Sequence, residues 1–204
     1  MCFRSTALLA LVLALPAGML LAADLGEAER LYQEKQYSQA EAASRGVADS
    51  EPENAKANYL LGAALLEQDK IDEAEPRLKK AVELNYAPDQ AKVALARVHL
   101  QRQQYDQAMA LLNEANGANA ENAEVYLYRG IAFANRSQFN EAVKDLDKAV
   151  QMNPNEAKAH YYAGLAYNGV KRPDKMVEHF QMFLKLAPDA PEAPRVRSLL
   201  RNIR

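Results

Sequence analysis

AKANYLLGAALLEQDKIDEAEPRLKKAVELNYAP, residues 55–88, decides the fold. Its apolar residues fall at helical spacing twice over. Leu61, Gly62 and Leu65 share one face of a first helix, and Ala74, Leu78, Ala81 and Val82 share one face of a second. The polar Gln68-Asp69-Lys70 between them has room only for a turn. The stretch recurs with a period of 34 from residue 21 to 190, without insertion or deletion. Small residues recur as Ala28, Gly62, Ala96, Gly130 and Gly164, then as Ala40, Ala74, Ala108 and Ala142 before Met176. Large ones recur as Tyr37, Ile71, Tyr105 and Phe139, and breakers as Pro52, Pro154 and Pro188, with Tyr86 and Ala120 in the equivalent places.

Each unit therefore reads as a helical hairpin. One hairpin cannot bury its own apolar stripe, so the units must stack. Small residues at fixed points let the paired helices approach closely, and the proline column ends each second helix. Ser38 to Glu41 and Asp72 to Glu75 have the spacing of capping boxes, which would start those helices.

Leu61, Gly62 and Leu65 followed by Ala74, Leu78 and Ala81 resemble the tetratricopeptide repeat, a 34-residue helix–turn–helix. The resemblance implies an all-α, right-handed α-solenoid of about five repeats, at 24–54, 55–88, 89–122, 123–156 and 157–190. Departures from the pattern carry their own expectations. Glu27 and Ser44 suit a wetter outer face on a first, capping unit. Pro173, Met176 and Phe183 suggest a splayed fifth pair, and Pro76 a loosened second helix.

The ends differ from the array. Arg4 is the one charge among residues 1–23, Ala7 to Leu15 are apolar, and Leu20-Leu21-Ala22-Ala23 offers small residues for cleavage near Ala23. This is the order of an export signal, and a bacterial periplasm is the expected compartment. The alternative is an uncleaved anchor, because Ser5 to Ala23 carries no charge. Residues 191–204 place Val196, Leu199, Leu200 and Ile203 at helical spacing, as a capping helix would, with Arg195, Arg197, Arg201 and Arg204 on its other face. That arginine cluster suits a solvated cap, or weak contact with anionic envelope components.

Composition narrows the function. A net charge of −2 argues against nucleic acid as a partner. The single Cys, at position 2, excludes a disulfide framework or thiol catalysis. His99, His160 and His179 have no metal-ligand spacing, the serines form no nucleophile elbow, and the glycines no phosphate loop. Neither enzyme activity, nor a metal, nor a cofactor is expected.

The positive signal is a second apolar stripe on the first helices. In the family resembled, those positions line the concave groove where peptides bind. Carried across, they are Tyr32, Tyr59, Leu66, Val93, Arg97, Leu100, Leu127, Ile131, Tyr161 and Leu165, with Lys56, Glu124 and Lys158 along the rim. Tyr59, Leu60, Ala63 and Ala94 stand where a carboxylate clamp would need polar groups, so capture of a chaperone tail is not expected. An apolar groove with one central cation, Arg97, suits an amphipathic partner helix or a hydrophobic segment of a partner protein that carries an acidic residue. Packing between repeats, or self-association into a homo-oligomer, would also account for the stripe.

Overall fold

The computed structural model describes residues 25–118 and 122–201. Among them the chain is helical, with no strand. Five hairpins follow one another, α1 (Leu25–Gln33) with α2 (Tyr37–Ser50), α3 (Ala55–Glu67) with α4 (Ile71–Glu83), α5 (Pro88–Gln101) with α6 (Tyr105–Ala118), α7 (Ala123–Asn135) with α8 (Phe139–Met152), and α9 (Ala157–Gly169) with α10 (Pro173–Leu186), before a last helix, α11 (Ala193–Arg201). Pro88 and Pro173 each occupy a first helical turn, where the missing N–H has no partner to lose.

Every hairpin turns in the same way. The middle residue of each three-residue turn, Lys35, Asp69, Gln103, Ser137 or Lys171, has φ between 58° and 62°. None is glycine, although left-handed backbone costs an L-residue about 1–2 kcal/mol. The offset comes from a Schellman pair, seen where Asp69 N–H donates to the Leu66 carbonyl at 3.1 Å and Lys70 N–H to Leu65 at 3.0 Å. The second helices end by two routes. Before Pro52 and Pro154 a single N–H, of Glu51 or Asn153, reaches back to Val47 or Ala149. Where Tyr86 replaces the proline, Asn85 turns left-handed at φ 55 and Tyr86 N–H bonds Ala81.

Caps sit on the first helices, where Asn54, Asn122 and Glu156 accept backbone N–H groups. The expected capping boxes are absent, because the N-caps of α2 and α4 are Gln36 and Lys70, two residues before Ser38 and Asp72, and neither has a side-chain cap. Ser38 instead donates to Gln68 at 3.0 Å, Asp72 pairs with Arg102 at 2.6 Å, and Asp106 pairs with Arg136. These are one contact repeated at three junctions, tying the starts of α2, α4 and α6 to the ends of α3, α5 and α7. Glu41 joins it, and Lys70, Arg45 and Gln68 hold its carboxyl down to about 2.

Within each hairpin the small column faces a larger one, in the order Ala28 and Ser44, Gly62 and Leu78, Ala96 and Leu112, Gly130 and Leu146, Gly164 and Phe180. All are buried. Ser44 is therefore not on a wet outer face. It is fully buried and donates to the Ala40 carbonyl at 2.7 Å. The fifth pair is not splayed either, since Phe180, Met176 and Phe183 are buried in one cluster with α11 and Gly164 makes room for the Phe180 ring. One buried ion pair bridges α7 and α8, where Arg129 holds both oxygens of Asp145 at 2.6 and 2.9 Å.

Helix α4 runs unbroken past Pro76, which is exposed and withholds an N–H from its interior. Pro76→Ala restores that hydrogen bond and removes the ring, so stability should rise by about 1–3 kcal/mol. Urea denaturation checks this, and an unchanged midpoint would show that the helix has already adapted to the ring.

Neighbouring units meet unequally. First helices approach first helices closely, α1 with α3, α3 with α5, α5 with α7 and α7 with α9, whereas among the described residues no second helix brings its backbone close to the next one, and α2 and α4 are linked by long side chains, Arg45 to Glu73 at 2.8 Å and Arg77 to the Ala48 carbonyl at 3.2 Å. The stack therefore curves with its first helices inside. Ala193 and Val196 of α11 cover the last hairpin, leaving Arg195, Arg197 and Arg201 exposed, with Arg197 donating to the Pro188 carbonyl at 2.7 Å. The expected export signal, Ile203 and Arg204 lie outside the described residues. No described helix is long and apolar enough to cross a membrane.

Candidate functional site

The concave face is built by the first helices, and it treats the expected groove residues differently. Leu66, Val93, Leu127, Ile131 and Tyr161 are each at most 7% exposed and belong to the cores between units. First helices touch one another, so a stripe displaced sideways around the helix meets the next first helix before it meets the groove. Tyr32, Tyr59, Leu100 and Leu165 are half-buried at its margin, and Arg97 reaches the middle.

What opens at mid-groove is polar. A cavity of about 200 Å³ is lined by Glu67, Arg97, Glu124, Leu127, Tyr128, Asn153, Glu156 and Lys158, among others. Arg97 is not a free cation. It pairs with Glu67 at 2.6 Å and lies over the Tyr128 ring at 5.2 Å, with the Lys158 ammonium 5.7 Å from the same ring. Glu124 is exposed, yet the surrounding first helices push its carboxyl up, against the pull of Arg97 and Lys158 and with a further push from Glu67 and Glu156. Burial likewise lifts the Tyr59 phenol to about 12. Sequence reasoning placed Arg97, Glu124, Leu127 and Lys158 here and missed Glu67, Tyr128 and Glu156. The spacing of 30 that joins Glu67 to Arg97 also joins Asp72 to Arg102 and Asp106 to Arg136, and was the available signal.

The histidines are packed inside. His99 Nδ1 lies 2.7 Å from the Gln104 side-chain oxygen. His160 Nε2 faces the Pro154 carbonyl at 3.0 Å and must donate, which leaves its Nδ1 to accept from His179 Nδ1 at 3.1 Å. Tyr167 stacks on His179 and donates to Asp147, whose other oxygen is 3.9 Å from His179 Nε2. The described residues hold no group of three or more His, Cys, Asp or Glu suited to a metal.

Burial, then His160, lowers the His179 pKa below its ordinary value, so the unfolded chain takes up a proton more readily than the folded one. Stability is complete above pH about 6.5 and falls as pH drops below it. The midpoint of thermal unfolding should be lower at pH about 5.5 than at neutrality, and hydrogen exchange should place the loosening in α9 and α10. Equal protection at both values would refute this.

Tetratricopeptide repeat models match residues 31–90 and 67–129, and a related repeat model matches 130–169. The chain belongs to the tetratricopeptide repeat family. Solved structures share its architecture. TTC0263, a thermophilic TPR protein of Thermus thermophilus, is 19% identical with a TM-score of 0.70, over 86% of this chain and 96% of that one. YrrB, described as a TPR protein with an unusual peptide-binding site, is 21% identical with a TM-score of 0.61, over 85% and 90%. MamA of AMB-1 is 25% identical with a TM-score of 0.63, over 81% and 98%. No curated protein matches the chain. A tetratricopeptide array is a scaffold fold, and this one places its polar cavity at the centre of its concave face.

Proposed function

We propose that the chain is an exported scaffold, without enzymatic activity, that holds an extended peptide segment of a partner protein in its concave face in a cell-envelope assembly, secretion or maturation machine. The observation that carries the binding role is the mid-groove cavity. Its Glu124, Glu156 and Lys158 belong to no buried apolar cluster, so packing of the repeats does not account for them. The peptide-binding site of YrrB supports the same role for a chain of this architecture. Export rests on the N-terminal order of Arg4, an apolar run and small residues.

Panning a random dodecapeptide library against the full chain tests the binding role. Enriched peptides carrying a photo-reactive group should crosslink to α3, α5, α7 and α9. Failure of the library to enrich, or crosslinks confined to the second helices, would reject the reading. The intact mass of the secreted protein reads the export claim separately, and retention of residues 1–23 would count against cleavage.

A further inference from the structure

We infer that the mid-groove cavity takes the basic side chain of its peptide partner, a lysine or an arginine, with Glu124 as the receiving carboxylate. This rests on the proposed peptide-binding role and goes against the acidic partner that Arg97 suggests when the sequence is read alone. The two cations of the cavity are already engaged, Arg97 with Glu67 at 2.6 Å and over Tyr128, and Lys158 over the same ring. Three carboxylates, Glu67, Glu124 and Glu156, face them. Glu156 accepts the Lys158 backbone N–H at 3.0 Å, whereas the Glu124 carboxylate has no hydrogen bond or ion pair among the described residues. A cavity carboxylate left unmatched in this way is stabilised by an incoming cation.

A second observation comes from Tyr128. It is 8% exposed, forms a wall of the cavity, and its hydroxyl makes no hydrogen bond among the described residues. A phenol oxygen accepts from an ammonium or guanidinium donor, so the tyrosine and Glu124 together offer two acceptors to one cation. The cavity's 200 Å³ admits a single such head, and the half-buried Tyr32, Tyr59 and Leu100 beside it suit the aliphatic stem and flanking apolar residues.

The library selection decides the matter when it is run in parallel on the full chain and on Glu124→Gln. The wild-type pool should concentrate Lys or Arg at one position. A synthetic peptide from it should lose about tenfold in affinity when that residue becomes Ala, and a similar factor against Glu124→Gln, with the variant's melting temperature not reduced. Affinity for the wild type should also fall as acidification protonates the Glu124 carboxyl, at a pH above the ordinary carboxylate range, and this dependence should vanish in Glu124→Gln. Enrichment of Asp or Glu, or equal binding by the variant, overturns the inference while leaving peptide binding intact. Absence of any concave-face binder overturns the functional proposal and this inference with it.

Discussion

Gly164→Ala should destabilise the C-terminal repeat by about 3 kcal/mol or more, the upper range for overpacking a core. A Cβ at residue 164 would lie 2.4 Å from two atoms of the Phe180 ring. The ring is rigid, fully buried and enclosed by Tyr161, Met176 and Phe183, so it cannot rotate away. The same change elsewhere in the column should cost less. At Gly62 the new Cβ would meet Leu78 Cγ at 2.8 Å, and the native pair Ala96 with Leu112 shows that one hairpin already accommodates Ala against Leu. Chemical denaturation of Gly62→Ala and Gly164→Ala separates the two. Because repeats contribute nearly independently, the loss in Gly164→Ala should appear in the hydrogen exchange of α9, α10 and α11 first. Equal costs for both variants would mean that ring shape is not the deciding factor. The double variant Gly164→Ala with Phe180→Leu should recover part of the loss.

Arg129→Ala should cost about 2–4 kcal/mol, because it leaves the Asp145 carboxylate in the core without its partner. Asp145 is 8% exposed and both its oxygens are taken by the guanidinium, which also lies over the Tyr126 ring at 5.4 Å. Part of the Arg129 side chain reaches solvent, so the lower half of that range is expected. Replacing both members, as Arg129→Met with Asp145→Leu, should return most of the stability, since the desolvation cost disappears along with the pair. A double variant as unstable as Arg129→Ala would show that the pair contributes net stability beyond satisfying its own charges. Thermal unfolding of the three variants measures the coupling.

The fold was legible because its determinants are local. The 34-residue period, the small column and the turn residues each act within one hairpin, and the turns, helices and Gly–Leu approaches appear where the spacing puts them. Misreadings arose where a side chain acts between hairpins. Ser38 and Asp72 have the composition of caps, but stacking brings Gln68 and Arg102 within reach, and a contact across units draws them away from their own backbone. The groove was legible only in part for the same reason. Val93 and Ile131 look like a lining on a single helical wheel, yet they are buried in the core between units, while Leu127 does reach the cavity. Tyr128 and Glu156 could not be assigned to the cavity because their relation to Arg97 depends on curvature, which no single repeat encodes. The sideways stripe gave a direction around each helix and not the distance to its neighbour.

The unequal contacts of inner and outer helices also give the array a mechanical character. Inner helices touch one another and act as a hinge line, while the outer helices keep their backbones apart, leaving gaps spanned at most by long, flexible ion pairs such as Arg45 with Glu73. Pulling the two ends apart straightens the coil by closing those outer gaps before any core contact is broken. The array should therefore behave as a soft spring, and the mid-groove cavity should change its width with extension. An optical trap should record reversible lengthening at forces well below those that unfold a hairpin. A stiff response up to the first unfolding event would show that the gaps are not free to close.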